Sequence, residues 1–324
     1  MPRYPLLADI LEARERLHGI ALHTPLEESP TLAAESGANQ VRLKLEMLQP
    51  TGSFKTRGAH NKVALVASAT PDAELVTASS GNHGIAVATA AARHGMRLTV
   101  LVGASVSPAK LERLRALESD SCVVEVFGRD SDDAEAEARR RDTERIAVYV
   151  PPYNDPDVIA GQGTIGAEVL EEWPACDAIV VPIGGGGLIA GIGLWAKAVK
   201  PGLKLIGVQP AASPPMYAHF ETGSTDPMPI APTLADGVAG NIERTSITWR
   251  LCRQLVDQVV LVEEEEIAQA LRWSVEVPHL LLEGSAALGI AALRPGLLDV
   301  ADRRVAVVTT GRNVSVETLR SVLE

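Results

Sequence analysis

From Glu74 to Tyr153 the chain repeats one rhythm, a short aliphatic run ending in small residues followed by an amphipathic stretch. ELVTASS, RLTVLVG, CVVEVFG and VYVPPY read as strands, and GNHGIAVATAAARHG, SPAKLERLRALES and DSDDAEAEARRRDTERIA as the helices between them. Such alternation requires crossover connections, and right-handed crossovers give parallel strands covered on both faces. A second series follows Pro156, with helix VIAGQGTIGAEVLEEW, strand AIVVPI, helix LIAGIGLWAKAVK and strand LKLIGVQP. A proline-rich, irregular connection is expected from Ser213 to Pro232. It leads to VDQVVLVEEEEIAQAL, a helix around Ser285–Leu293 and a last strand, RVAVVTTG. Residues 6–19 predict a first helix, Val41–Leu45 a strand, and Gly58 to Ala69 a helix with Lys55 near its N-terminal end. The expected fold is α/β, with two domains that each hold a mainly parallel, twisted sheet flanked by helices. Residues 1–70 and 152–324 would form the larger domain and 71–151 the smaller one.

Composition agrees with this layering. Apolar residues make up 46% of the 324 positions but aromatics only 3%, so Ala, Val, Leu and Ile must fill the core. A net charge of -11 argues against a nucleic-acid partner, which requires basic surface. It leaves room for a small anion, because backbone N–H groups bind phosphate regardless of net charge. Cys122, Cys176 and Cys252 lie far apart without a CxxC pair, the pattern of reduced core thiols. The N-terminal segment carries charges throughout, and no long uncharged apolar stretch follows. A soluble cytoplasmic protein with no membrane partner is expected.

Four segments carry chemistry. In Gly52-Ser53-Phe54-Lys55-Thr56-Arg57-Gly58, a lysine sits among residues poorly suited to a solvated loop. An amine becomes a nucleophile or base when burial or a second cation lowers its pKa. Phe54 would supply the apolar wall and Arg57 the second charge. Ser79-Ser80-Gly81-Asn82-His83-Gly84 links a strand to an Ala-rich helix, where glycine and free N–H groups suit an anion. Read alone, this segment also fits an ordinary strand-to-helix turn. Gly184-Gly185-Gly186-Gly187-Leu188 follows the strand AIVVPI and leaves backbone N–H groups bare. Gly185, Gly187 and Ala190 also satisfy a loose dinucleotide pattern, but the next strand ends at Gln209 where a ribose-binding acid would be needed. Finally, Thr309-Thr310-Gly311-Arg312-Asn313 places a hydroxyl at a strand's carboxyl end, able either to face a ring nitrogen or to cap a helix.

Together these segments resemble the fold-type II family of pyridoxal-phosphate enzymes, in its threonine/serine dehydratase and serine racemase branch. HTPL (His23–Leu26), DPDVIAGQGTIGAEVLEE, LADGVAG and EGSAALG add weaker matches across nearly the whole chain. Cysteine-synthase-like relatives usually show SGNTG, so His83 points toward the dehydratase branch. The resemblance implies that Lys55 holds pyridoxal 5'-phosphate covalently and removes the substrate's α-proton. It implies that Phe54 packs on the cofactor, Asn82 bonds its ring hydroxyl, Gly184, Gly185, Gly186, Gly187 and Leu188 cradle its phosphate, and Thr310 meets its ring nitrogen. Ser79, Ser80, Gly81, Asn82 and His83 would take the substrate carboxylate, with Ser80 also placed as an acid/base on the face opposite Lys55. The implied reaction is β-elimination of threonine or serine to a 2-oxo acid and ammonia. The alternative is a racemase, or a dehydratase for a specialised substrate such as 3-hydroxyaspartate. Relatives are homodimers or homotetramers.

Three departures bear on the transfer. Gln209, Ser213, Pro214 and Pro215 stand where some relatives bind a divalent cation, so no metal is expected. Pro152-Tyr153-Asn154 replaces the usual His-Pro pattern beside the substrate side chain, which makes Tyr153 a candidate contact. Arg312 replaces a small glycine and reads either as an exposed or structural arginine or as a contact for a second substrate carboxylate.

Overall fold

The computed structural model describes residues 3–294 and 296–324. The chain begins with α1 (Leu7–Leu17), β1 (Leu26–Glu28), α2 (Pro30–Ser36), β2 (Gln40–Lys44) and α3 (Lys55–Ala69). It continues through β3 (Leu75–Ala78), α4 (Asn82–His94), β4 (Leu98–Val102), α5 (Pro108–Arg115), β5 (Cys122–Val126), α6 (Ser131–Thr143) and β6 (Val148–Tyr149). Then come α7 (Pro156–Glu172), β7 (Ala178–Pro182), α8 (Gly187–Val199), β8 (Lys204–Pro210), α9 (Pro215–Thr222) and α10 (Ile247–Leu255). The last elements are β9 (Gln258–Val262), α11 (Glu264–Glu276), α12 (Gly284–Ala292), β10 (Arg304–Val308) and α13 (Val316–Leu323).

The strands form two sheets. A six-stranded sheet has the order β1-β2-β10-β7-β8-β9, and a four-stranded sheet has the order β5-β4-β3-β6. Every pairing is parallel except that of β1 with β2. The expected α/β class therefore stands. Both sheet interiors are aliphatic: Val180, Val208, Val305 and Val307 line one, Val100, Val102 and Leu98 the other. The carboxyl ends of β3, β7 and β10 lead into Ser79–Gly84, Gly184–Leu188 and Thr309–Asn313, where open α/β sheets place their ligands.

Several elements depart from expectation for local reasons. β6 has only two residues because Pro151 and Pro152 cannot donate to a ladder. The connection after Ser213 contains α9, whose prolines sit at its start, where a missing N–H costs nothing. α3 begins at Lys55 itself rather than Gly58, with Phe54 as its N-cap. β1, α2 and α10 have no strong signal in the sequence. All three cysteines are buried and free, in keeping with core thiols.

α7 packs backbone to backbone against both α3 and α8. A Cβ on Gly161 would lie 2.7 Å from the Cα of Gly58, and one on Gly163 would lie 2.9 Å from the carbonyl oxygen of Gly191. Only glycine permits such approach.

Candidate active site

Lys55 occupies the first position of α3, and its Nζ donates to the carbonyl of Pro152 at 2.7 Å. The Phe54 ring centroid lies 5.2 Å from the same nitrogen, so the expected apolar wall is present. Burial pushes the Lys55 amine down to about 8, and the Glu283 carboxylate limits the fall by favouring the charged form. Arg57 plays no part in this. Its guanidinium turns away from the amine and is held by Glu46 at 2.8 Å and Glu168 at 2.6 Å. The expectation that Arg57 acts as a second free cation is corrected accordingly: burial does the work alone.

The glycine loop opens α8. Gly186 lies at φ +87°, a conformation that favours glycine, and caps the helix. Among the described residues, the N–H groups of Gly184 through Leu188 donate to no protein acceptor. They form a cradle at the N-terminus of a 13-residue helix, where backbone dipoles favour an anion. Tyr153 roofs this loop from behind: a Cβ on Gly185 would lie 2.3 Å from its Cγ. The Tyr153 hydroxyl accepts from the Glu243 N–H at 3.1 Å, and burial together with the Glu243 carboxylate pushes it upward in pKa. Tyr153 thus joins the cradle to Pro152, and Pro152 to Lys55.

On the other side, Asn82 begins α4 and reaches across to the large sheet. Its Nδ2 faces both Glu283 oxygens, at 2.8 and 3.0 Å, while its Oδ1 accepts from Asn313 Nδ2 at 2.7 Å. Asn313 also donates to the carbonyl of Thr51, which ties Asn82 to the loop that bears Lys55. Burial raises the Glu283 carboxyl above its ordinary pKa, partly offset by the Asn82 amide. Thr310 is buried, its carbonyl accepts the Phe54 N–H at 3.0 Å, and its hydroxyl has no hydrogen bond among the described residues.

The remaining candidates divide. Ser79 and Ser80 are half-buried at the mouth of a cavity of about 320 Å³, with the Ser79 hydroxyl accepting from Gly81 N–H at 3.2 Å. The N–H groups of Ser80, Asn82, His83 and Gly84 have no protein acceptor among the described residues, which suits a carboxylate. The His83 side chain does not join them. Its ring is buried, Nε2 donates to the Val150 carbonyl at 2.9 Å, and burial with the nearby Lys55 charge pushes it down to about 3. Arg312 is exposed and makes no ion pair among the described residues. Gln209 is structural, its amide bonding the Ile183 carbonyl and the Tyr217 N–H. No group of three or more His, Cys, Asp or Glu among the described residues is placed to share a metal ion. Nor is any described helix long and apolar enough to cross a membrane.

Glu283 and Asn313 went unrecognised as site residues. Both lie inside quoted motifs, EGSAALG and TTGRN, and an acid capping an otherwise apolar helix was the available signal.

A half-buried amine with a lowered pKa, a cradle of backbone N–H groups without protein acceptors and an unpaired hydroxyl just past β10, among the described residues, define a pyridoxal-phosphate enzyme of fold type II, and the residues present fit that cofactor. The chain belongs to the pyridoxal-phosphate dependent enzyme family, whose pattern it matches over residues 19–311. It is 39% identical over 98% of its length to an L-threonine ammonia-lyase from Thermotoga maritima, covering 78% of that protein. It is 36% identical over 98% of its length to an L-threo-3-hydroxyaspartate ammonia-lyase from a Pseudomonas species, covering 98% of that protein. Maize serine racemase superposes with a TM-score of 0.90 at 29% identity, over 98% of this chain and 97% of the other.

The Lys55 amine offers a direct check. With the full chain stripped of cofactor, reductive methylation of Lys55 is expected to rise with an inflection near pH 8, because only the neutral amine reacts. Glu283→Gln removes the carboxylate that favours the charged form and should move the inflection lower. An inflection at the ordinary 10.5 would contradict the burial argument.

Proposed function

We propose that this protein is an ammonia-lyase that eliminates water from a β-hydroxy amino acid, threonine or serine, yielding a 2-oxo acid and ammonia. The observation that carries the reading is the depressed Lys55 amine joined through Pro152 and Tyr153 to the glycine cradle. When bound, pyridoxal phosphate supplies the electron withdrawal that makes the substrate's α-hydrogen acidic. Lys55 would hold the cofactor, and its Nζ is the base that would take that proton. The unpaired N–H groups of Gly184–Leu188 bind the phosphate, and Phe54 packs beside the ring. Asn82, positioned by Glu283 and Asn313, would be the amide that holds the ring hydroxyl. The N–H groups and hydroxyls of Ser79–Gly84 orient the substrate carboxylate, which fixes the α-hydrogen toward Lys55. The β-hydroxyl leaves as water, taking up the proton held on Lys55, and the released enamine tautomerises to an imine that a second water hydrolyses to the 2-oxo acid and ammonia.

Thr310 argues for elimination over reactions that store negative charge. A neutral hydroxyl at the ring nitrogen cannot stabilise a full positive charge there as a carboxylate would. The family resemblance assigns Ser80 as an acid/base on the face opposite Lys55, and that reading favours racemisation as a second activity. Exposed, unpaired Arg312 favours a substrate with a second carboxylate, 3-hydroxyaspartate, as the alternative. The division into a cofactor domain (1–70 and 152–324) and a small substrate-loop domain (71–151) is part of the same reading and is supported by sheet membership. So are a homodimeric or homotetrameric assembly, argued from the family resemblance, and a cytoplasmic location, argued from the reduced-thiol pattern of the cysteines.

The test is release of 2-oxo acid from L-threonine, L-serine and each 3-hydroxyaspartate isomer, with chiral analysis of recovered substrate. The expected result is turnover of threonine or serine, and Arg312→Ala within about twofold of the parent on both. Selective loss on 3-hydroxyaspartate in that variant would move the assignment to the dicarboxylate.

A further inference from the structure

Motifs that the proposed reaction leaves unused converge on one buried cluster. Arg57 donates to Glu46 through Nε at 2.9 Å and Nη2 at 2.8 Å, and to Glu168 through Nη1 at 2.6 Å and Nη2 at 2.8 Å. Lys44 donates to Glu168 at 2.6 Å and to the Thr24 carbonyl at 2.6 Å. Thr24 Oγ1 donates to Glu46 at 2.6 Å, Gln49 Nε2 to Glu46 at 3.2 Å, and Arg57 Nη1 to Thr164 Oγ1 at 3.0 Å. Lys44, Glu46 and Arg57 have at most 2% of their side chains exposed, and Glu168 has 12%. Two cations and two carboxylates leave no net charge, and these partners satisfy every nitrogen of the Arg57 guanidinium.

We propose that the quartet Lys44, Glu46, Arg57 and Glu168 is the positioning device of Lys55, fixing the first turn of α3 while keeping the buried charge behind that turn neutral. Arg57 stands two residues beyond Lys55 in that turn. Its anchors come from three separate places: Glu46 from the turn after β2, Glu168 and Thr164 from α7, and the Leu22 carbonyl from the segment before β1. A hydrophobic residue at position 57 would pack but would not fix the rotation of the helix. Five directed hydrogen bonds from Arg57 to two carboxylates and a hydroxyl do fix it. An unbalanced Arg57 would act on Lys55 through a poorly screened interior, where charge disfavours charge strongly. In the intact protein burial and Glu283 are the influences on the amine, and no member of the quartet is among them. The quartet is thus a positioning group that touches neither substrate nor cofactor.

The inference rests on the proposed role of Lys55 but is tested apart from it. Glu168→Gln keeps the shape and leaves one positive charge unbalanced; Lys44→Gln leaves one negative charge. In the full chain stripped of cofactor, the Lys55 methylation inflection should fall by about one pH unit in Glu168→Gln and rise by a similar amount in Lys44→Gln. In the loaded enzyme the alkaline-side dependence of kcat/KM should shift in the same two senses. A helix that is merely loosened would move both variants in one direction, and that result, or no shift in either, overturns the proposal. Should Glu168→Gln or Lys44→Gln not fold, Glu46→Gln or Lys44→Met leaves the same unbalanced charge and takes its place. Failure of the lyase reading itself would appear differently, as absent turnover in the parent with the two opposed shifts intact.

Discussion

Lys55→Ala is expected to lower 2-oxo acid release at least about a thousandfold while the protein keeps its fold. The reasoning is specific to the placement of this amine. Among the described residues its one protein hydrogen bond is to the Pro152 carbonyl, and its side chain is half-buried at the site and not enclosed in a sheet core. Truncation therefore removes the base and the covalent anchor together and leaves the packing unchanged. Circular dichroism should match the parent, and the visible absorbance of bound cofactor should change. A variant that retains both the absorbance and more than about one per cent of the rate would remove Lys55 from the mechanism.

Gly185→Ala should have the next largest effect, and through a different route. An added Cβ would lie 2.3 to 2.5 Å from three carbons of the Tyr153 ring, a distance no real pair tolerates. The ring cannot retreat freely, since its hydroxyl is fixed by the Glu243 N–H and the Glu243 carboxylate is itself paired with Arg139 and Asn154. Something must shift in a close-packed interior, at a typical cost of about 1–3 kcal/mol. Movement of Tyr153 also disturbs the cradle it roofs and the Pro152 carbonyl next to it. Cofactor affinity should drop at least about tenfold, with a lowered melting temperature. Gly202→Ala, where a Cβ meets nothing within 4 Å, is the matched control and should change neither quantity.

The parts of this site that were legible in the sequence are those whose chemistry is local. Lys55 beside Phe54, the run Gly184–Gly187 and the Ser79–Gly84 turn each announce themselves within six residues, because backbone exposure and side-chain type are set locally. What stayed hidden is whatever depends on partners brought in by the fold. Arg57 looked like a free cation because Glu168 lies 111 positions away, and nothing in SFKTRG foretells a carboxylate. Glu283 was missed for the same reason: its contact with Asn82 spans 201 positions. His83 shows the reverse error, in which a residue inside the correct motif turns its ring to a main-chain carbonyl. At the level of elements, the strand–helix alternation gave both sheets, while α9 was concealed by the prolines at its start and β1 by its three-residue length.

The glycine-lined faces of α7 have a consequence beyond packing density. On one side this helix touches α3, whose first residue is Lys55; on the other it touches α8, whose first turn is the cradle. The bare backbone at Gly161 and Gly163 therefore makes α7 a spacer of minimum thickness between the two ends of one ligand. The span from amine to cradle is a length the protein must match to a rigid molecule, and here that length is set by side chains that are not there. A single methyl group added along α7, far from any reacting atom, would lengthen it.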